Sequence, residues 1–403
     1  MKTVAVLGGG PGGAFAAGRL ARDGFDVVLA DEKLAWEKPC GGGLTAKAYR
    51  RYPFLMNHPG PKKVIRRVAF TTPDAGRAEL RLDEPILIYS RTDLNGLLLH
   101  RAQEAGARLV KTRVLGIERA GRQWRIRTRT GLLASDFCVV ATGARNSLRG
   151  MGTVFDAGDV MRTVGYYIPG DSDRVELEFL PPAAGYIWVF PRCGHLSVGI
   201  CGKGVPAAAL RRHLEDYMRR HRLGFENAPL FSHLLPSLSV QSWEKARFAG
   251  EGWLAVGDAA GLADPITGEG LYYALRSAEL AAEAVRSAGG DEAGIAATYQ
   301  RAVTTDFGAD LAYAARLFPR FYSGRLLGRP VTLRMVQFLR RSPTFARIVQ
   351  DLFSGTQPYR RLELRVSANL MRTLLETAAS FLPGWRDRTG VSGAAVNRAE
   401  RAG

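Results

Sequence analysis

A glycine cluster near the N-terminus constrains this chain more than any other feature. Residues 3–7 (Thr-Val-Ala-Val-Leu) make a short apolar run with β-branched members, and the run closes on Gly8-Gly9-Gly10-Pro11-Gly12-Gly13. Residues 12–23 are alanine-rich with Phe15, Leu20 and Arg22, a predicted helix that stops at Gly24, and residues 26–30 read as a second strand. Strand, glycine turn, helix and strand within about thirty residues form one βαβ unit. Glycines at 8, 10 and 13 have the G-x-G-x-x-G spacing. Gly8 permits the tight turn, Gly10 lets backbone approach a pyrophosphate, and Gly13 lets helix pack on strand. With Pro11 and Gly12 completing the turn, the phosphates are expected at a helix N-terminus, where unpaired N–H groups and the dipole favour negative charge. Asp31 lies 18 residues beyond Gly13, where a carboxylate accepts from ribose hydroxyls, with Glu32 as the fallback. An acid there disfavours a 2′-phosphate, so NADP is not the expected ligand of this half.

A second signal follows the short apolar strand Trp253–Val256: Gly257-Asp258-Ala259-Ala260-Gly261. An aspartate at the end of a buried strand is costly unless it meets a partner, and a ribityl hydroxyl supplies one. The segment continues as Asp264-Pro265-Ile266-Thr267-Gly268-Glu269-Gly270-Leu271 into a long alanine-rich helix, Glu269–Ser287. Gly268 and Gly270 let backbone and the helix start face a flavin pyrimidine edge, where the dipole stabilises negative charge on the reduced ring. The plainer reading keeps Thr267 or Asp264 as helix caps.

At 403 residues the chain exceeds one small core. Residues 61–90 carry short alternating runs and 160–202 alternate again, predicting an antiparallel sheet apart from the parallel strands. Asp93–Ala105 is an amphipathic helix with Leu94, Leu97, Leu98 and Ala102 on one face. Strands are expected at Leu109–Val114, Trp124–Arg129 and Phe137–Ala141, and a helix at Leu210–Arg222. From Thr298 the pattern is helical, with breaks expected at Pro319, Pro330, Pro343 and Pro358, and a frayed stretch over 390–401. The expected organisation is an α/β protein. Its Rossmann-type FAD-binding domain is discontinuous (1–60, 91–155 and 245–300), with an inserted antiparallel-sheet substrate domain (61–90 and 156–244) and a helical C-terminal region (301–403).

Composition removes several function classes. Acidic or basic residues cut every apolar stretch below the roughly 18 residues of a membrane span, and no signal peptide is read at the N-terminus. Cys40, Cys138, Cys193 and Cys201 are widely separated, without C-x-x-C pairs or histidines at ligand spacing, so neither disulfides nor a metal site are expected. Cys138, Cys193 and Cys201 read as small buried residues. The net charge of +18 comes without a zinc finger, an RNA-binding aromatic signature or a lysine tail, so nucleic acid is not the expected partner. Residues 316–373 hold twelve arginines against Asp351 and Glu363, interleaved with Leu317, Phe318, Phe321, Leu326, Leu327, Phe338 and Leu339. Helices resting on an anionic leaflet and a solvated basic face both account for them.

The two glycine motifs, with Arg91 and Asp93 of Ser-Arg-Thr-Asp-Leu, resemble the FAD-binding pattern of the para-hydroxybenzoate-hydroxylase-like flavoproteins. Within that superfamily, Lys38-Pro39-Cys40-Gly41-Gly42-Gly43-Leu44 resembles the geranylgeranyl reductase family. So does Gly185-Tyr186-Ile187-Trp188-Val189-Phe190-Pro191, followed by Leu196-Ser197-Val198-Gly199-Ile200. The likeness covers roughly residues 1–300. It implies FAD as cofactor and NADPH or ferredoxin as electron donor. It assigns Arg91 to the FAD pyrophosphate or the flavin surroundings, Asp258 to the ribityl and phosphate region, and Lys38 and Cys40–Gly43 to the neighbourhood of the isoalloxazine. Ala141-Thr142-Gly143 corresponds to a backbone contact with adenosine, and Val114 is placed with the cofactor residues, as are Gly257, Pro265, Glu269 and Leu271. Gly43, Tyr186, Trp188, Phe190 and Pro191 fall on the substrate side.

The residues themselves are compatible with that site. A glycine triplet beside Cys40 lets backbone pass close to a flat ring, while the thiol is gatekeeper, proton donor or simply packed. Tyr186, Trp188 and Phe190 alternate and so share one sheet face, as core filler or as a prenyl-binding wall. The resemblance implies hydride delivery from flavin N5 to one alkene carbon of an isoprenoid or other lipid-like substrate, with Cys40, Tyr186 or a water as acid and Trp188 beside the reacting bond. A flavin-dependent monooxygenase or halogenase is the alternative on the same fold. The expected location is cytoplasmic, peripheral on the inner face of the membrane.

Overall fold

The computed structural model describes residues 2–148, 150–287 and 291–382. The stretch at 390–401 expected to fray lies outside the described residues. A six-stranded sheet runs in the order 249–250, 253–255, 137–140, 3–7, 26–31, 108–111, parallel except for its 249–250 edge. Val4, Val6 and Leu7 at its centre are fully buried because helices and other strands cover both faces, and a strand buried twice is apolar throughout. The helix Pro11–Arg22 buries Phe15, Ala16, Ala17 and Leu20 between this sheet and the helices Arg91–Glu104 and Leu271–Ser287. Phe15 and Leu20 contribute about 2–3 kcal/mol each by that burial. Gly24, at φ +87°, turns the chain from helix into strand.

The second sheet has eight strands in the order 230–236, 160–169, 195–203, 185–192, 174–179, 63–72, 76–88, 43–44. Its pairs are antiparallel except 174–179 with 63–72. The strand Gly185–Arg192 sorts its side chains by parity: Ile187 and Val189 pack toward the helix Ala207–Arg220, whereas Trp188 joins the core under the C-terminal helices. Gly199 faces Trp188 across the pair, and a Cβ there would lie 2.2 Å from the indole.

Several sequence expectations are corrected. Residues 114–135 form a three-stranded meander rather than one isolated strand, and Leu230–Pro236, read as no element, is the edge strand of the large sheet. Pro330 and Pro358 cap helices and Pro343 opens one, but Pro319 lies inside the helix Ala309–Tyr322 without ending it. Cys138 and Cys201 are buried as expected, and Cys193 is exposed, in the turn between two strands.

Candidate active site

A cavity of about 1130 Å³ lies between the two sheets and is closed on one side by the C-terminal helices. Of the residues singled out from sequence, Gly10, Pro11, Gly12, Gly13, Lys38, Cys40, Gly41, Gly42, Gly43, Arg91, Ala141, Gly143, Gly257, Asp258, Gly268, Glu269, Gly270, Leu271, Tyr186, Trp188 and Phe190 line it together. Gly8, Asp31, Glu32, Val114, Thr142, Pro265 and Pro191 do not.

The glycine turn divides its labour. Gly8 has φ +114°, and a Cβ on it would lie 2.3 Å from the Ala141 carbonyl; one on Gly13 would lie 1.9 Å from the Gly8 carbonyl. A Cβ on Gly10 meets nothing within 4 Å. Gly10 also caps the first helix without any side-chain help, so the helix's leading N–H groups open on the cavity. Asp31 holds the turn by accepting from the Gly9 amide at 2.7 Å and from the Lys33 and Leu34 amides. Glu32 is half exposed, about 4 Å from Arg113 and Arg129.

Across the cavity, Lys38 Nζ donates to Asp258 Oδ2 at 3.1 Å. Burial works against the ionised Asp258, but Lys38 and Arg91 outweigh it and keep the carboxyl below its ordinary range. His233 is pushed down to about 3 by burial and by Lys38, and its Nε2 has no partner. Arg91, 3% exposed, opens a helix whose cap, Ser90, accepts from the Asp93 amide. Its terminal nitrogen donates to Asn95 Oδ1 at 3.2 Å, whereas its Nε has no protein partner.

The Lys38–Gly43 loop is held by residues the sequence reading passed over. Arg192, fully buried, pairs with Glu37 and donates to the Cys40 carbonyl, which also accepts from Ser197 Oγ at 3.1 Å. Glu37 in turn accepts from the Arg91 amide at 3.0 Å. Burial brings the Arg192 guanidinium down to about 9. Removing Glu37 would strand the buried Arg192 guanidinium, at a cost of about 3–5 kcal/mol. The loop then lies on Phe190, since Cβ atoms on Gly41 and Gly43 would meet its ring at 3.2 and 2.9 Å.

The 264–270 segment is tied from both sides. Asp264 Oδ1 accepts from the Ile266 and Thr267 amides, and its Oδ2 accepts from Tyr359 Oη at 2.7 Å. Asp264 therefore shapes the loop instead of capping the long helix, which starts at Leu271. Tyr186 Oη donates to the Thr267 carbonyl at 2.8 Å, and burial raises its pKa well above the ordinary value, so its proton is committed. Glu269 differs. Its Oε1 accepts from Thr45 Oγ1 at 2.9 Å, and burial pushes the carboxyl up to about 7 against the pull of Thr45 and Lys47. No motif in the sequence marks Thr45 or Lys47, because they reach the site through the short helix Ala46–Arg51 folded over it.

These residues fit FAD. Gly10 leaves open space at the helix start of the size a diphosphate would need, Arg91 Nε is a buried cationic donor without a protein acceptor, and the cavity continues from the glycine turn to the aromatic stripe. Among the described residues no cluster of His, Cys, Asp or Glu could hold a metal ion.

Residues 2–175 match the family model of pyridine nucleotide-disulphide oxidoreductases. The chain is 30% identical to a digeranylgeranylglycerophospholipid reductase of Methanothrix thermoacetophila, over 71% of this chain and 78% of that one. It is 29% identical to a menaquinone reductase of Mycobacterium tuberculosis, over 82% and 87%. Among solved structures it resembles a geranylgeranyl bacteriochlorophyll reductase-like protein from Thermoplasma acidophilum (TM-score 0.74, 21% identity, 91% and 99% covered). A flavin-dependent halogenase is similar in fold (TM-score 0.64, 17% identity, 92% and 78% covered).

Proposed function

This chain belongs to the geranylgeranyl reductase family of FAD-dependent oxidoreductases, and from that premise we propose that it reduces carbon–carbon double bonds in a prenyl or other lipid-like substrate. One observation carries the reading: the cavity that begins at the glycine turn ends on an apolar wall of Tyr186, Trp188 and Phe190. A ring system and an extended hydrocarbon can therefore share one water-poor space.

FAD, when bound, supplies the electron pair as a hydride. The chain's residues do the rest. Gly10, Gly12 and Arg91 would hold the diphosphate, and Lys38 and Asp258 would meet the ribityl chain. Gly41 and Gly43 lack the Cβ atoms that would collide with Phe190, so the loop packs directly on the aromatic wall and lines the cavity with backbone. The aromatic wall, with Ile86, Leu235 and Phe353 of the same cavity, aligns the alkene and excludes water. Tyr186 has given its hydrogen bond to Thr267, so we assign the proton to Glu269 Oε2, since Oε1 is held by Thr45. An acid titrating near neutrality is suited to give a proton and regain it within one turnover.

Purified flavin-loaded protein, reduced anaerobically with dithionite and mixed with geranylgeranyl lipids or menaquinone, should add pairs of hydrogens readable by mass spectrometry. Glu269→Gln should lower the rate about 10²-fold or more, the ordinary worth of a general acid. Absence of mass gain on every prenyl lipid, together with oxygen-dependent substrate oxidation, would move the chain to the monooxygenase or halogenase class.

A further inference from the structure

The last two described helices, Tyr359–Ala368 and Leu370–Ala379, pack Tyr359, Leu362, Val366 and Leu374 inward but leave a second set of large apolar residues outside. The one fully buried side chain of Leu370–Ala379 is polar, Thr373, while Met371 is 68% and Leu375 65% exposed. Leu364, Phe381 and Leu382 are exposed to between 64% and 71%. Positions 371, 375 and 378 recur at helical spacing, so Met371, Leu375 and Ala378 form one outward stripe, and Phe381 and Leu382 are exposed just past the helix end. Scattered exposed leucines are ordinary; a stripe of large apolar residues on consecutive helices marks an interaction surface.

Charge identifies the occupant. Arg360 and Arg361 are exposed beside the stripe, Arg372 is exposed and paired with Glu376, and Arg341 stands 3.8 Å from the centre of the Phe381 ring; residues 359–382 carry four arginines against Glu363 and Glu376. A protein partner would need a dense acidic face to match, whereas an anionic bilayer offers both headgroup charge for the arginines and acyl chains for the stripe. The surface is also joined to the cavity. Gly355–Tyr359, the turn that leads into these helices, lines the cavity wall, and Tyr359 is bonded to Asp264 of the flavin-side loop.

We propose that the exposed face of Tyr359–Leu382 docks on an anionic lipid bilayer, inserting Leu364, Met371, Leu375, Phe381 and Leu382 to the acyl boundary. The juxtaposition delivers a lipid from the bilayer toward the cavity wall at 355–359, and so deepens the proposed function. The docking itself involves no turnover, so the two ideas can fail separately.

The test uses full-length protein and sedimentation with phosphatidylcholine vesicles, with and without phosphatidylglycerol. Binding should be at least about tenfold tighter to the anionic vesicles and should weaken as salt rises. Met371→Glu/Leu375→Glu should lower it by a further about tenfold with an unchanged flavin spectrum and melting temperature, since both positions are exposed. The same variant should keep its rate on detergent-dispersed substrate and lose it on vesicle-embedded substrate. Equal binding to neutral and anionic vesicles overturns the proposal. So does a double variant that binds like wild type, which would mean another segment of this chain covers the stripe. A wild-type dimer that becomes monomeric in the variant, without any vesicle effect, would assign the face to a second copy.

Discussion

Gly10 and Gly13 stand three residues apart and serve different masters. A methyl group on Gly13 would collide with the Gly8 carbonyl at 1.9 Å, while one on Gly10 would enter open space. Gly13→Ala is therefore a folding variant and Gly10→Ala a ligand variant. Gly10→Ala should cost the flavin-free protein at most about 1 kcal/mol, the difference between glycine and alanine as a helix cap. It should weaken FAD retention at least about tenfold, or about 1.4 kcal/mol, because the Cβ takes the space of the diphosphate. Equilibrium dialysis against FAD, beside a urea titration of the apoprotein, checks both halves; unchanged FAD affinity would remove the diphosphate from this turn. These glycines were legible in sequence because their spacing is local. Arg192, Glu37, His233 and Thr45 were not, because each meets its partner across strands or helices far away in the chain. An arginine in a strand reads as surface until its partner is known.

Elements with a single period were read well: 3–7, 26–31 and 137–140 are buried runs, and the helix at 91–104 begins two residues before its predicted start. What failed was punctuation. Leu230–Pro236 mixes serine and histidine into its apolar run and closes on proline, so it has no clean alternation, yet it completes a ladder along Val160–Tyr166. Pro319 failed in the opposite direction. It sits exposed in the last turn of Ala309–Tyr322, where only the amide that would reach back toward Ala315 is lost, and its own carbonyl still accepts from Ser323 at 2.9 Å. The apolar residues Leu311, Ala314, Ala315, Phe318 and Tyr322 keep the helix in place by packing. That burial outweighs a proline penalty of about 3 kcal/mol. Pro319→Ala should accordingly stabilise the protein, by about 1–3 kcal/mol, through the amide it restores toward Ala315. A urea midpoint that stays the same or falls would show that the helix has bent to suit the ring and gains nothing from losing it.

At the scale of the whole molecule the cavity is a meeting of distant segments, and its electrostatics exist only when they meet. His233 comes from the edge of the large sheet and faces Lys38, Asp258, Arg145 and Arg91. Glu269 comes from the loop before the long helix and faces Thr45, Lys47 and Asp264. The two titrate against each other. His233 is held near 3 against an ordinary 6.5, so the unfolded chain takes up its proton first and stability is lost as pH falls below 6.5. Glu269 is raised to about 7 from 4.5, so the folded chain holds its proton longer, and the stability it contributes below 4.5 is lost as pH rises through 7. Each slope is at most about 1.4 kcal/mol per pH unit, and between roughly pH 4.5 and 6.5 they oppose one another. Flavin-free wild type should therefore show little pH dependence from this pair across that window. Glu269→Gln leaves the histidine alone, and stability should fall on acidification; His233→Asn leaves the carboxyl alone, and stability should fall as pH rises. Urea titrations of the three proteins across the window read the sign directly. Parallel curves for all three would mean that neither group is as buried as the assembled cavity makes it, and the assignment of the proton to Glu269 would lose its electrostatic support.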